Sequence, residues 1–198
     1  MHNQQQQQQT NVMPLPLWAY VCLWLFFVYL YVQIVQFQVD QSSNLFIGGL
    51  YFVEFGVHEA SHLVVAFLPS ILVAAAGSFG EIAFTALIIL AAWKAKSYFA
   101  MIFGALWMAL AVNSVGRYMA DARAQQLPLI GPGETVQHDW HFVFAQLGWL
   151  DADTIIGTAI RGLGDLIGLV ALGFGLWLLL VKLTNRSDDT QTTSNLVR

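Results

Sequence analysis

The chemistry in this chain gathers in one short string, Phe55-Gly-Val-His58-Glu59-Ala-Ser-His62, which fits H-E-x-x-H. On an α-helix, residues four apart share a face, so the imidazoles of His58 and His62 can reach one metal ion. Glu59 stands about 100° round the helix axis. From there it can act as a general base on a water at the metal without being a ligand. Glu54, four residues before His58, lies on the same face and is placed to accept the other ring N–H of His58. A tetrahedral catalytic zinc needs a third protein ligand and an open position. Asp121, which closes the string Asn113-Ser-Val-Gly-Arg-Tyr-Met-Ala-Asp121, is the foremost candidate. His138, Asp139 and His141 are the alternatives, as ligand, behind the ligands or against the substrate. His138-Asp-Trp-His141 also reads as the start of an interfacial helix, with Trp140 at the lipid headgroups. Glu81 is a substrate-contacting or pore-lining group, or else a neutral helix contact. Arg161 and Asp165, four apart, pair with each other.

These residues need elements to hold them, and the composition says which. Of 198 residues, 57% are hydrophobic and only 10% charged, against roughly 25% in an average soluble domain. Eight basic and twelve acidic residues leave a net charge of −4, which argues against a nucleic-acid binder. The hydrophobicity argues against disorder. A lone cysteine, Cys22, excludes an intrachain disulfide framework and a cysteine-rich zinc module. The reading is an all-α polytopic membrane protein with about five transmembrane helices. Their apolar runs are Leu17 to Val35, Phe46 to Leu68, Ile71 to Trp93, Ser97 to Met119 and Ile155 to Leu183. Residues 138–150 add a re-entrant or interfacial helix, and Gly77-Ser-Phe-Gly80 is able to break the third run. Residues 1–13 form a disordered Gln-rich tail, 14–183 a single membrane domain and 184–198 a polar tail. With five spans, Lys94, Lys96, Lys182, Arg186 and Arg198 face Arg117, Arg123 and Arg161 across the bilayer. That bias puts the C-terminus inside and the N-terminus outside. An ionisable group inside a span is expensive. The second span concentrates several of them, and a metal site accounts for them better than a polar helix contact or a proton path.

H-E-x-x-H within a transmembrane helix, with an aspartate at the end of a later one, resembles the site-2 protease type of intramembrane zinc metalloprotease. The second signature of that family is N-x-x-P-x-x-x-L-D-G. Asn113 and Asp121 keep its Asn-to-Asp separation, with Gly116, Ala120 and Ala122 in place of the Pro, Leu and Gly. The likeness runs from Gly56 to Asp121, about a third of the chain. It implies that His58, His62 and Asp121 bind zinc, that Glu59 activates water, and that Asn113 helps to hold the substrate or the site. The strings HEASH, MADAR and HDWH together are also similar to a group of small bacterial membrane proteins without an assigned activity. That similarity implies that His138, Asp139 and His141 belong with the site and that the membrane is the bacterial cytoplasmic one.

The expected function is therefore a membrane-embedded zinc metallopeptidase. Its cofactor is Zn2+, its surroundings are lipid, and its substrate is a transmembrane protein or peptide unwound at the cleavage point. One rival is a zinc hydrolase acting on a lipid or amide with the same residues. Another is a non-enzymatic protein in which Glu54, His58, Glu59 and Glu81 line a proton or metal-ion path. Haem ranks last, because two histidines on one helix face cannot be the two axial ligands of one haem.

Overall fold

The computed structural model describes residues 15–37, 44–128 and 137–196, with side chains to residue 185. The Gln-rich segment 1–13 and the turn formers Gly131, Pro132 and Gly133 lie outside the described residues. The described chain is helical without strands. Its helices are α1 (Leu17–Gln36), α2 (Leu45–Val64), α3 (Ser70–Lys94), α4 (Tyr98–Ala120), α5 (Asp139–Leu147) and α6 (Asp153–Leu196). A 3-10 turn at Leu150–Ala152 leads into α6. Four helices, α1, α3, α4 and the stretch Leu150–Asn185, are long and apolar enough to cross a membrane. Their outer faces carry exposed large apolar side chains such as Trp18, Leu87, Trp93 and Ile155, which water would not tolerate in bulk but lipid covers.

Side-chain contacts give the direction of each helix. Tyr20 near the start of α1 meets Phe99 near the start of α4, with ring centroids 5.0 Å apart. At the other end Arg117 of α4 donates to the Val35 carbonyl of α1 at 3.2 Å, so α1 and α4 run in parallel. α3 runs against α4, pairing Phe84 with Trp107 at 5.6 Å and bringing Ile88 and Ile89 to Gly104. α6 also runs against α4. Gly157 packs on Gly116 and Ala120, Gly164 on Asn113, and Gly175 on Ile102. Small residues along this seam let the two backbones approach closely, the usual route to tight packing between membrane helices. Bulkier side chains, among them Phe27, Leu30, Leu106 and Leu178, fill the core between α1, α4 and α6.

The finding that departs from the five-span expectation is the course of α2. Phe46 at its start lies 6.3 Å from Phe103, ring to ring, and His58 near its end lies 6.0 Å from Tyr118. α2 therefore runs in the same direction as α4. It also parallels α1, since Asn44 donates to Gln33 at 2.9 Å while Phe37 packs on Tyr51 at 5.3 Å. A helix parallel to its predecessor is not the return crossing. The alternating path is α1, α3, α4 and α6, with α2 laid beside it. The cause is polarity: Glu54, His58, Glu59 and His62 give α2 groups that it turns into the bundle rather than towards lipid. With four alternating crossings the two ends of the membrane domain come to one side, so the expected placement of the N-terminus opposite the C-terminus falls with the fifth crossing. Lys182 of α6 lies over the Tyr20 ring of α1 at 5.7 Å, so the start of α1 and the far part of α6 share one end.

α3 runs unbroken through Gly77-Ser-Phe-Gly80. These glycines are contact points instead of a break. A Cβ at Gly77 would overlap the His58 ring, and one at Gly80 would overlap the Ser61 side chain.

Candidate metal centre

The site forms at the end of the bundle where α2 and α4 finish, α3 begins and α5 lies across them. α5 starts at His138, whose Nδ1 caps the helix by accepting the His141 backbone N–H at 3.2 Å. Trp140 is buried and donates from Nε1 to Ser78 of α3 at 2.9 Å. Val143 and Phe144 pack with Ala74, Val115 and Ala122. Trp140 is thus an anchor inside the protein and not a headgroup contact. α5 ends at Gly148 with φ 70°, the left-handed conformation a glycine adopts without strain.

Docked in this way, α5 delivers Asp139 to the two histidines. Asp139 Oδ2 lies 3.1 Å from His58 Nε2 and 3.3 Å from His62 Nε2. The ligand atoms of all three residues fall within 4.8 Å of one another. Tyr118 of α4 braces the aspartate twice. Its hydroxyl accepts the Asp139 backbone N–H at 3.0 Å and donates to Oδ2 at 3.3 Å.

The opposite ring nitrogens are both engaged. His62 Nδ1 lies 2.7 Å from the Val73 carbonyl oxygen. A carbonyl can only accept, so the proton sits on Nδ1 and, in the neutral ring, Nε2 presents a lone pair. His58 Nδ1 lies 2.5 Å from Glu81 Oε1, which fixes the same tautomer when that carboxylate is ionised. In the neutral rings two lone pairs then face one carboxylate oxygen. That arrangement calls for a positive charge between them: a metal ion, or a proton on His58, whose imidazole, against the lowering effect of burial, Asp139 and Glu81 hold up at about 9. The chemistry of the donor set fits zinc. Ligands at roughly 2.0–2.1 Å on a tetrahedron are about 3.3 Å apart, close to the two Nε2–Oδ2 separations given above.

Glu59 is half-buried on the neighbouring side of α2 and makes no hydrogen bond or ion pair with a described residue. Its carboxylate acts electrostatically on the Tyr118 hydroxyl, which also touches Asp139. It is next to His58 in the chain and has no hydrogen-bond partner among the described residues.

The remaining candidates lie elsewhere. Asp121 caps the end of α4, accepting the backbone N–H groups of Gln126 and Leu127 at 2.9 Å each. Its other neighbour is His138 Nε2, 3.5 Å from Oδ2; it is not among the residues that converge on His58 and His62. His138 stacks on Tyr118 with centroids 4.2 Å apart. Burial holds its imidazole below the ordinary histidine pKa, against the pull of Asp121 and Asp139. His141 turns away, its Nδ1 lying 2.8 Å from the Ala122 carbonyl and 2.7 Å from the Gln125 side-chain amide. Asn113 lies in the α4–α6 seam, donating to Asp165 Oδ1 and to the Ala109 carbonyl at 3.1 Å each. Asp165 takes Asn113 in place of Arg161, which packs over Gly116. Glu54 is fully buried and does not bond His58; the acceptor expected of it is Glu81, from another helix.

Sequence reasoning missed Tyr118, Ser78, Gly77 and the Val73 carbonyl. Only Gly77 left a mark, in the Gly-Ser-Phe-Gly string that reads equally well as a helix breaker. Compared with protein-family models, with curated proteins and with solved structures, the chain finds no match in any of the three.

Proposed function

We propose that the protein is a membrane-embedded zinc hydrolase that cleaves peptide bonds of membrane proteins or peptides. His58, His62 and Asp139 are the ligands and Glu59 is the proton acceptor. One observation supports this reading above the others: two Nε2 atoms converge on Asp139 Oδ2 while both Nδ1 atoms are held by acceptors. Zinc, when bound, supplies a Lewis acid that polarises the scissile carbonyl and makes water a better nucleophile at neutral pH. The chain does the rest. Glu81 and the Val73 carbonyl orient the two imidazoles, and Tyr118 holds the aspartate. Glu59 takes the proton of the attacking water and returns it to the leaving amine. The peptide as substrate rests on the likeness of H-E-x-x-H in a membrane helix to the site-2 protease type, with Asp139 in the place Asp121 holds there. A lipid or amide substrate would use the same groups. We place the C-terminus on the cytoplasmic side of a bacterial membrane, by the excess of basic residues in the sequence on that side, Lys94, Lys96, Lys182, Arg186 and Arg198 against Arg117, Arg123 and Arg161.

Metal content of the purified chain, with hydrolysis of a membrane-peptide panel, is the test. The expected result is about one zinc per chain, retained in Glu59→Gln while the hydrolysis rate drops by roughly 10²–10⁴-fold. A native, folded chain that neither carries zinc nor takes it up on titration would overturn the reading. Cleavage of lipid amides but not peptides would move it to the second substrate class.

A further inference from the structure

One helical turn inward from His58, on nearly the same face of α2, Glu54 is completely enclosed, with 0% of its surface exposed. Among the described residues neither of its carboxyl oxygens has a hydrogen-bond partner. Trp107 of α4 faces it: the indole N–H is buried and also unpartnered, close to the carboxyl group but short of hydrogen-bond geometry. Glu81 of α3 acts electrostatically on Glu54, and Tyr51, one turn before it on α2, acts with both carboxyl groups. His58 is the next titratable group, bound to Glu81. Thr85 does not bond Glu54, and its hydroxyl proton goes to the carbonyls of Glu81 and Ile82. An ionised carboxylate without donors is the most expensive state a group can adopt at this depth. A neutral acid needs one acceptor for its O–H, and a buried water with two to four polar partners is the ordinary way to join such groups.

We propose that Glu54 is a proton-binding site: a neutral carboxylic acid that shares one buried water with the Trp107 N–H, the water accepting from both the Glu54 O–H and the indole N–H. Glu54 stands apart from the histidine–aspartate cluster, so this site holds with or without metal there.

Infrared spectroscopy of the full-length chain in lipid, in H2O and in D2O, tests this. The wild type is expected to show a carbonyl band of a protonated carboxyl group that shifts in D2O. Glu54→Gln removes that band and leaves zinc stoichiometry unchanged. Trp107→Phe keeps the band but moves it, because a donor has gone. A protonated-carboxyl region that Glu54→Gln leaves intact, or a Glu54 band that ignores D2O, overturns the proposal. Should Glu54→Gln fail to fold, a band position unaffected by Trp107→Phe overturns it instead. Zinc content is measured on the same samples, so failure of the hydrolase reading and failure of the proton site are distinguished.

Discussion

The residue that distinguishes this site from a chance H-E-x-x-H is Glu81. Its carboxylate accepts a hydrogen bond from His58 Nδ1–H, so His58 turns Nε2 to Asp139. Groups behind metal-binding histidines typically contribute 10–100-fold to affinity. Glu81→Gln keeps an acceptor but loses the charge, and is expected to weaken zinc binding about tenfold; Glu81→Ala, about 100-fold. Competition with a chromophoric chelator measures both. The two aspartates give opposite outcomes in the same assay. Asp139→Asn loses tight binding, while Asp121→Asn keeps it and loosens the Gln126–Leu127 turn that Asp121 caps. Tight binding lost in Asp121→Asn and kept in Asp139→Asn would reverse the assignment. Both histidines must be neutral to ligate. Against the lowering effect of burial, Asp139 and Glu81 hold the His58 imidazole up at about 9, so zinc competes with that proton and affinity falls as pH drops below about 9. His58, Glu59 and His62 were legible in the sequence because a local helical spacing carries them. Asp139 stood among several open choices, because nothing in one dimension says which of Asp121 and Asp139 folds back onto α2.

At the scale of elements, the site depends on how closely α3 approaches α2. Gly77 is the contact: a methyl group there would overlap the His58 ring. Overpacking of this kind typically costs about 1–3 kcal/mol, and here the histidine has to move. Gly77→Ala is therefore expected to lower zinc affinity well beyond its effect on thermal stability. Gly157→Leu makes the contrast, since it wedges α6 from Gly116 and Ala120, far from any ligand, and lowers stability first. Comparing melting temperature with zinc affinity in the two variants separates the roles; equal loss of both in each would refute the distinction. The helices themselves were legible to within a few residues, because long apolar runs leave little choice, except at the far end of α6, which runs to Leu196 through the expected polar tail. The role of the α3 glycines was not, because a glycine that breaks a helix and one that admits a neighbour look alike until the neighbour is known.

At the scale of the molecule, the path of the chain follows from α2 being a helix that is not a crossing. Length suggests a span at residues 46–68, but α2 is not among the helices apolar enough to cross, and the four polar side chains that mark the site are also what keeps α2 beside the crossings rather than among them. With α1, α3, α4 and α6 alternating, the start of α1 and the α3–α4 connection lie at one end. The Asp121–Gln126 turn, α5 and the candidate metal centre lie at the other. Membrane-impermeant thiol labelling reads this directly on a Cys22→Ser background. Pro16→Cys and Ala95→Cys are expected to label from the same side, and Gln126→Cys and Trp149→Cys from the opposite one. If positions 16 and 95 label from opposite sides, α2 crosses after all, and the metal centre must be rebuilt, because a return crossing would carry His58 to the end of the bundle away from Tyr118 and Asp139.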